Sequence, residues 1–312
     1  MTQIEFEIKP LPFDPHRLDG LSERIVASHH ANNYGGAVKR LNAIRALVAA
    51  ADFRTIPGFA LTGLKPEELI AANSVLLHEL HFACLGGDGV LPDGPLQTAL
   101  AQAFGSVERW RAEFVALGRA LAGGSGWALL SWSPRAAQLV TQWASDHGHA
   151  LADAVPLVAL DMYEHAYHMD FGARAADWVD VFMRNIDWAR TAEKFEAAVA
   201  ASTTALEVSP QLLAAQLAQP AAQVQLIDVR RRPVHAAATS RLPNATWHDP
   251  EQLDLWSAAL DRSKPVAVYC VHGHAISHVA AARLARGGLD VHYVSGGIER
   301  WALEGRPLAA KT

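Results

Sequence analysis

Near residue 200 the hydrophobic pattern of this chain changes its period. Up to the tryptophan-rich segment ending at Trp188-Ala189-Arg190, apolar residues recur mainly at helical spacing. After the small-residue stretch Ala197-Ala198-Val199-Ala200-Ala201-Ser202-Thr203-Thr204-Ala205, short apolar runs alternate with single helical patterns. One hydrophobic core rarely serves a chain of 312 residues, so two domains are expected, residues 1–200 and residues 206–312.

Each side of that boundary has its own architecture. On the first side, helical patterns over about Leu21 to Ala51 and Pro66 to Leu85 precede a helix from Gly94 to Leu121. A Gly-Gly-Ser-Gly turn at 123–126 then introduces alternating segments, Trp127 to Trp132 and Gln138 to Trp143. This half reads as helical over 1–90 and α/β over 91–200. On the second side, Gln223 to Val229 and Pro265 to Cys270 read as strands, and a helix from about Ile276 to Arg286 leads to the strand Asp290 to Val294. Strand, helix and strand in close order imply a parallel sheet.

Half of the residues are hydrophobic and 19% are charged, as in a soluble globular protein. A formal charge of −5 gives no electrostatic reason to expect nucleic acid or an anionic membrane as partner. The first ten residues lack the basic and apolar runs of a leader, and no run approaches a membrane span. Two cysteines, Cys84 and Cys270, stand far apart, which fits a reducing cytoplasm better than a disulfide framework.

The strongest chemical signal is Asp161-Met162-Tyr163-Glu164-His165, directly after the apolar run Pro156 to Leu160. A buried strand ending in Asp-x-x-x-His aims a hard oxygen and a borderline nitrogen at one point, a mixture suited to a redox-active first-row metal. Two more histidines are needed. His29 follows a polar helical stretch, with His30 beside it as an alternative, and His78 lies on a helix whose apolar face carries its imidazole inward. Taken alone, a histidine on such a face is usually a satisfied core residue. Four donors together make a three-histidine, one-carboxylate site.

Residues 1 to about 200 resemble the iron/manganese superoxide dismutases. The matching stretches are Ser28-His29-His30-Ala31-Asn32-Asn33-Tyr34, Ala71 to Leu85, Phe104-Gly105-Ser106, Gly124-Ser125-Gly126-Trp127 and Asp161 to Tyr167. The resemblance implies a helical hairpin followed by an α+β portion, one Fe or Mn ion per subunit, and superoxide as substrate. It implies His29, His78, Asp161 and His165 as ligands, with a solvent molecule in fifth position. His147 matches the branch that uses histidine as hydrogen-bond donor to that solvent. Glu164 matches a glutamate that bridges to a ligand histidine of the neighbouring subunit, here His165, so the resemblance implies a homodimer or a dimer of dimers. His168 stands where an interface tyrosine is usual, and Tyr163 where a tryptophan is.

The chain departs from that family at the substrate entrance. Ala37 stands at the position of the usual gateway tyrosine, Asn33 at that of a nearby histidine, and His81 at that of a tyrosine behind the ligands. Tyrosine and histidine there relay protons, and alanine cannot. Tyr34 is a substitute for the missing hydroxyl if its ring turns toward the cavity. Trp127, Trp178 and Trp188 read as core packing, and Cys84 as a buried small apolar residue.

Cys270 ends an apolar strand and is followed by Val271-His272-Gly273-His274-Ala275-Ile276-Ser277 and a helix. A loop between strand and helix is an anion cradle, whose N–H groups hold an oxyanion or a persulfide against the sulfur. His272, His274 and His278 are expected to add local positive charge. Residues 206–312 resemble rhodanese-like domains through Leu226 to Arg230, Leu242 to Ala245, Val268 to Cys270 and Val294 to Trp301. That likeness implies an α/β parallel sheet and makes Cys270 a persulfide-forming nucleophile, with thiosulfate or another oxyanion or sulfur donor as partner. The loop lacks the usual arginine and is one residue longer than in most sulfurtransferases. Its wording resembles segments of bacterial chromate-resistance proteins.

The first expectation is therefore a cytoplasmic superoxide dismutase carrying a rhodanese-like domain. The alternative is a sulfurtransferase or oxyanion-handling protein, such as one of chromate stress, whose dismutase-like domain is a metal-binding dimerisation scaffold of weak activity.

Overall fold

The first helix begins where Ser22 can cap it. Its hydroxyl accepts the Ile25 N–H at 3.3 Å, and α1 (Glu23–Ser28) follows. In the computed structural model, which describes residues 5–219 and 223–311, α1 runs straight into a π-helical turn, His29–Tyr34, and then into α2 (Gly35–Ala50). The first four residues, read above for a leader, lie outside the described residues. The expected helix from Leu21 to Ala51 is thus continuous but not uniform. At the end of the wide turn the Gly35 N–H points to the His30 carbonyl, five residues back. That extra residue per turn shifts which side chains face inward.

The second helix, α3 (Gly58–Ala83), starts eight residues before the expected Pro66. Proline inside a helix removes one hydrogen bond, here to the Thr62 carbonyl, and the exposed first turns tolerate the loss. Tyr34, Ala37, Val38, Leu41 and Ile44 pack against Ala71, Val75 and Phe82 to form the core of this hairpin. The helix expected over Gly94 to Leu121 is two helices, α4 (Pro95–Phe104) and α5 (Val107–Ala120). Gly105 ends α4 in the left-handed region at φ +87°, and the Ser106 hydroxyl accepts from Arg109 N–H at 3.1 Å.

Strands β1 (Trp127–Ser133), β2 (Gln138–Ala144) and β3 (Val155–Asp161) form a sheet of order β2-β1-β3, followed by α6 (His168–Phe171), α7 (Ala175–Arg184) and α8 (Trp188–Thr203). The rest of the chain is β4 (Glu207–Val208), α9 (Pro210–Leu217), β5 (Gln225–Asp228), α10 (Arg232–Ala237), β6 (Ser240–Arg241), β7 (Thr246–Trp247), α11 (Leu253–Ser257), β8 (Val266–Tyr269), α12 (Ala275–Arg286), β9 (Val291–Val294), α13 (Gly297–Leu303) and β10 (Ala309–Ala310). Here the sheet order is β4-β9-β8-β5-β7 with every neighbour parallel, while β6 and β10 pair antiparallel apart from it. Apolar residues cover both faces of the five-stranded sheet, Ile227, Val266 and Val268 on one side and Leu226, Ala267 and Tyr269 on the other.

Two compact units result. One gathers the described residues up to Pro92 with Arg111–Ser131 and Thr141–Thr191; the other takes Asp93–Trp110, Trp132–Val140 and the described residues from Ala192 onward. No helix among the described residues is long and apolar enough to cross a membrane.

In the second unit Gly297 sits at φ +57°, and a Cβ there would lie 2.4 Å from the Val271 carbonyl and 2.5 Å from that of Cys270. Those carbonyls accept from Glu299 N–H at 3.1 Å and Ile298 N–H at 3.0 Å, so the Cys270 loop is locked to the start of α13. Gly297→Ala is expected to destabilise the protein by about 2–4 kcal/mol in urea unfolding followed by circular dichroism. Gly63→Ala, in open space on α3, should instead stabilise by up to about 1 kcal/mol. Equal midpoints for the two variants would refute the locking role.

Candidate functional site

Strand β3 carries Asp161 into the interior, where its side chain is fully buried. The strand stops there because the carboxylate turns back on its own backbone: Oδ1 accepts the Tyr163 N–H at 2.8 Å. A short 3-10 turn, Glu164–Ala166, then returns His165 to the same carboxylate, its Nε2 lying 3.1 Å from Oδ2. From the helical hairpin, His29 Nε2 approaches that oxygen at 3.1 Å and His78 Nε2 at 3.7 Å. One candidate ligand atom from each of the four residues lies within 4.8 Å of the other three.

These are not ordinary buried ion pairs. His78 Nδ1 donates to the Ser74 carbonyl at 2.6 Å, so its Nε2 holds a bare lone pair. Neither His29 Nε2 nor His78 Nε2 makes a hydrogen bond, although both are buried. Buried polar atoms are normally satisfied. Unsatisfied imidazole nitrogens converging with a carboxylate oxygen fit a mononuclear first-row metal ion. Burial lowers the pKa of His29 and pushes that of His78 down to about 3, keeping both neutral. For Asp161 burial alone acts upward, but His165 beside it outweighs this and holds the carboxyl well below the usual range.

His30 stays out of the cluster, its Nε2 bonded to the Lys9 carbonyl at 2.8 Å. The π-helical turn buries His29 and leaves its neighbour half-exposed. His147 Nδ1 accepts the Trp127 indole N–H at 2.9 Å, so its hydrogen sits on Nε2, and burial lowers its pKa. Trp127 therefore does more than pack. Tyr163 stacks on His147 at 4.8 Å and on His165 at 5.4 Å between ring centroids, and burial together with Asp161 pushes its pKa up to about 12. A cavity of about 340 Å³ opens beside the cluster, lined by Asn32, Asn33, Gly36, Ala37, Arg40, Ile70, Ala71, Ser74, His78, His147 and His165. Arg40 escapes a search for motifs. Its spacing from Asn33, Gly36 and Ala37 puts it on one helical face with them.

Tyr34 does not replace the missing gateway hydroxyl. Its ring packs in the hairpin core against Phe82, and its hydroxyl accepts from Lys9 N–H at 3.0 Å and donates to Glu79 Oε1 at 3.0 Å. His81 lies behind His29, donating from Nδ1 to the Ala159 carbonyl at 3.0 Å and stacking on Phe182. Glu164 and His168 are exposed.

Comparison with known proteins adds to this geometry. Residues 92–194 match the model of the iron/manganese superoxide dismutases, C-terminal domain. The chain is 61% identical over 194 residues to the superoxide dismutase [Fe] of Cupriavidus metallidurans, a match covering 62% of this chain and 98% of the relative. The chain belongs to the iron/manganese superoxide dismutase family. It is also 33% identical to superoxide dismutase [Mn] 1 of Halobacterium salinarum over 62% of this chain and 96% of the relative, and 30% identical to superoxide dismutase [Fe] of Aquifex pyrophilus over 60% and 90%. Residues 209–304 match the model of the rhodanese-like domain.

In that rhodanese-like domain, Cys270 follows β8 at the carboxyl edge of the parallel sheet, where open α/β sheets bind ligands. The buried thiol lies 3.3 Å from the Ser277 hydroxyl, which donates to the His274 carbonyl at 3.1 Å. Of the loop histidines, His278 does not supply the expected positive charge. His272 Nδ1 is 2.6 Å from Glu299. His278 is buried, bonds to the Gly273 carbonyl at 2.7 Å and stacks on Tyr293, and burial lowers its pKa.

Burial pushes the His81 pKa down to about 3. The unfolded chain then binds a proton at His81 that the folded chain refuses. Metal-free protein should lose stability as pH falls from about 6.5, at roughly 1.4 kcal/mol per pH unit for each such histidine. His81→Gln, which keeps a donor for Ala159, should flatten that slope in urea titrations under chelator. An unchanged slope would rule out this linkage.

Proposed function

We propose that the protein is a superoxide dismutase whose single Fe or Mn ion is held by His29, His78, Asp161 and His165. The observation that carries this reading is the convergence of two buried, unsatisfied imidazole nitrogens with His165 on one carboxylate oxygen. An ion bound there would take one electron from one superoxide and pass it to the next, so that two superoxides and two protons would become dioxygen and hydrogen peroxide. The chain's own residues manage the rest. Asp161 contributes one negative charge to the donor set, and Ser74 fixes the ring of His78. His147, with its hydrogen set on Nε2 by Trp127, holds a proton at the cavity wall. Ala37 supplies no second donor, which makes proton delivery depend on His147.

The proposed division is a dismutase part over 1–200 and a rhodanese-like part over 206–312. Exposed Glu164, beside His165, supports assembly as a homodimer in which Glu164 reaches His165 of the neighbouring subunit. Two free cysteines, both buried, support a reducing cytoplasmic location. A second activity rests on Cys270 at the carboxyl edge of its sheet. Its thiolate attacks the outer sulfur of thiosulfate, sulfite leaves with the electron pair, and a persulfide remains on the cysteine.

His78→Ala and Asp161→Ala should each abolish stoichiometric metal and lower superoxide turnover by more than about a hundredfold, measured by elemental analysis and by decay of superoxide absorbance. Wild-type protein with a full complement of iron or manganese and negligible turnover would sink the dismutase reading. Cys270→Ser should remove the persulfide seen by mass spectrometry after thiosulfate treatment. A persulfide surviving that change would reject Cys270 as the sulfur carrier.

A further inference from the structure

Superoxide is a small monoanion, and the cavity beside the donor cluster has an unusual wall for such a guest. Asn33, Gly36, Ala37 and Arg40 follow one another at helical spacing along one face that turns toward it. Gly36 and Ala37 leave that face nearly bare; a Cβ added at Gly36 would meet nothing within 4 Å. Among the described residues lining the cavity, Arg40 is the one with a permanent positive charge, and no carboxylate lines it. The cavity's attraction for an anion therefore falls on Arg40.

The guanidinium is not locked in place. Its ion-pair partner is Glu67 on α3, which stands outside the cavity lining, and the two side chains remain 57% and 42% exposed. An exposed pair of this kind contributes little to stability. One partner is thus free to exchange a carboxylate for an incoming anion at small cost. Where a gateway hydroxyl is absent, a cation at the mouth draws the anion in by charge, with no fixed hydrogen bond from the wall.

We propose that Arg40 is the steering residue of this site: it concentrates small monoanions at the cavity mouth, and Glu67 competes with them for its guanidinium. The proposal rests on the dismutase reading above, because it presumes an anionic guest moving toward the metal centre. It assigns Arg40 no contact with the reacting atoms and no proton transfer.

Azide, a linear monoanion, is the probe. Titrated into metal-loaded wild-type, Arg40→Gln and Glu67→Gln proteins, it is followed by the absorbance of the metal centre, with metal content measured for each. Arg40→Gln should weaken azide binding about threefold to tenfold and flatten the fall of kcat/KM with ionic strength, as expected when one partly screened charge is lost. Glu67→Gln should tighten azide binding about twofold, because the competitor is gone. Arg40→Lys should restore most of the affinity, which a merely structural role would not produce. Arg40→Gln with wild-type metal content, azide affinity and salt dependence would overturn the proposal. A loaded wild-type protein that binds azide through Arg40 but does not turn over superoxide would overturn the dismutase reading and uphold the steering role.

Discussion

Burying a carboxylate without compensation costs several kcal/mol, and Asp161 is buried completely. Most of the first unit is arranged around that cost. The Tyr163 N–H fills Oδ1, the Trp178 indole donates to the Asp161 carbonyl at 2.7 Å, and three imidazoles surround Oδ2. Each of those partners comes from a different element. The end of β3, the turn after it, the π-helical turn, α3 and α7 must all be in register before Asp161 is satisfied, so the site and the fold are specified together.

The compensation is deliberately incomplete. Hydrogen bonds reach the outer nitrogen of His78 and both oxygens of Asp161, whereas the inner nitrogens of His29 and His78 have none. A folded protein that leaves buried nitrogen atoms unsatisfied invites a ligand that completes them. His147 lies beside this donor set, oriented by Trp127 and covered by the ring of Tyr163. Ala37 offers the cavity no hydrogen-bonding group and leaves an open face on which Arg40 is the main charge.

The rhodanese-like domain solves a different problem with the same economy. Parallel strands end together, so the loop after β8 receives its support from neighbouring loops. Gly297 and Gly273 permit backbone approaches that no side chain would survive, and His278 braces the loop from beneath instead of charging it. The loop after Cys270 offers a histidine already occupied by Glu299 and no arginine of its own.

Much of this was legible in one dimension, because local chemistry repeats with local structure. The shift from helical spacing to alternating short runs marked two architectures. The apolar run before Asp161 marked a buried strand, and the four-residue step to His165 marked two donors for one point. Helix ends were less legible. A glycine in the left-handed region split the run at Gly105, and Pro66 proved compatible with a helix begun at Gly58, since the energy of either choice depends on what packs nearby. The choice between His29 and His30, the turning of Tyr34 toward Glu79, and the gathering of Arg40 into the cavity wall lay beyond any pattern. Residue types and their spacing state which groups are available and which face of an element they share. Direction and distance between elements arise from packing, where a single extra residue in a helical turn decides which imidazole reaches the carboxylate.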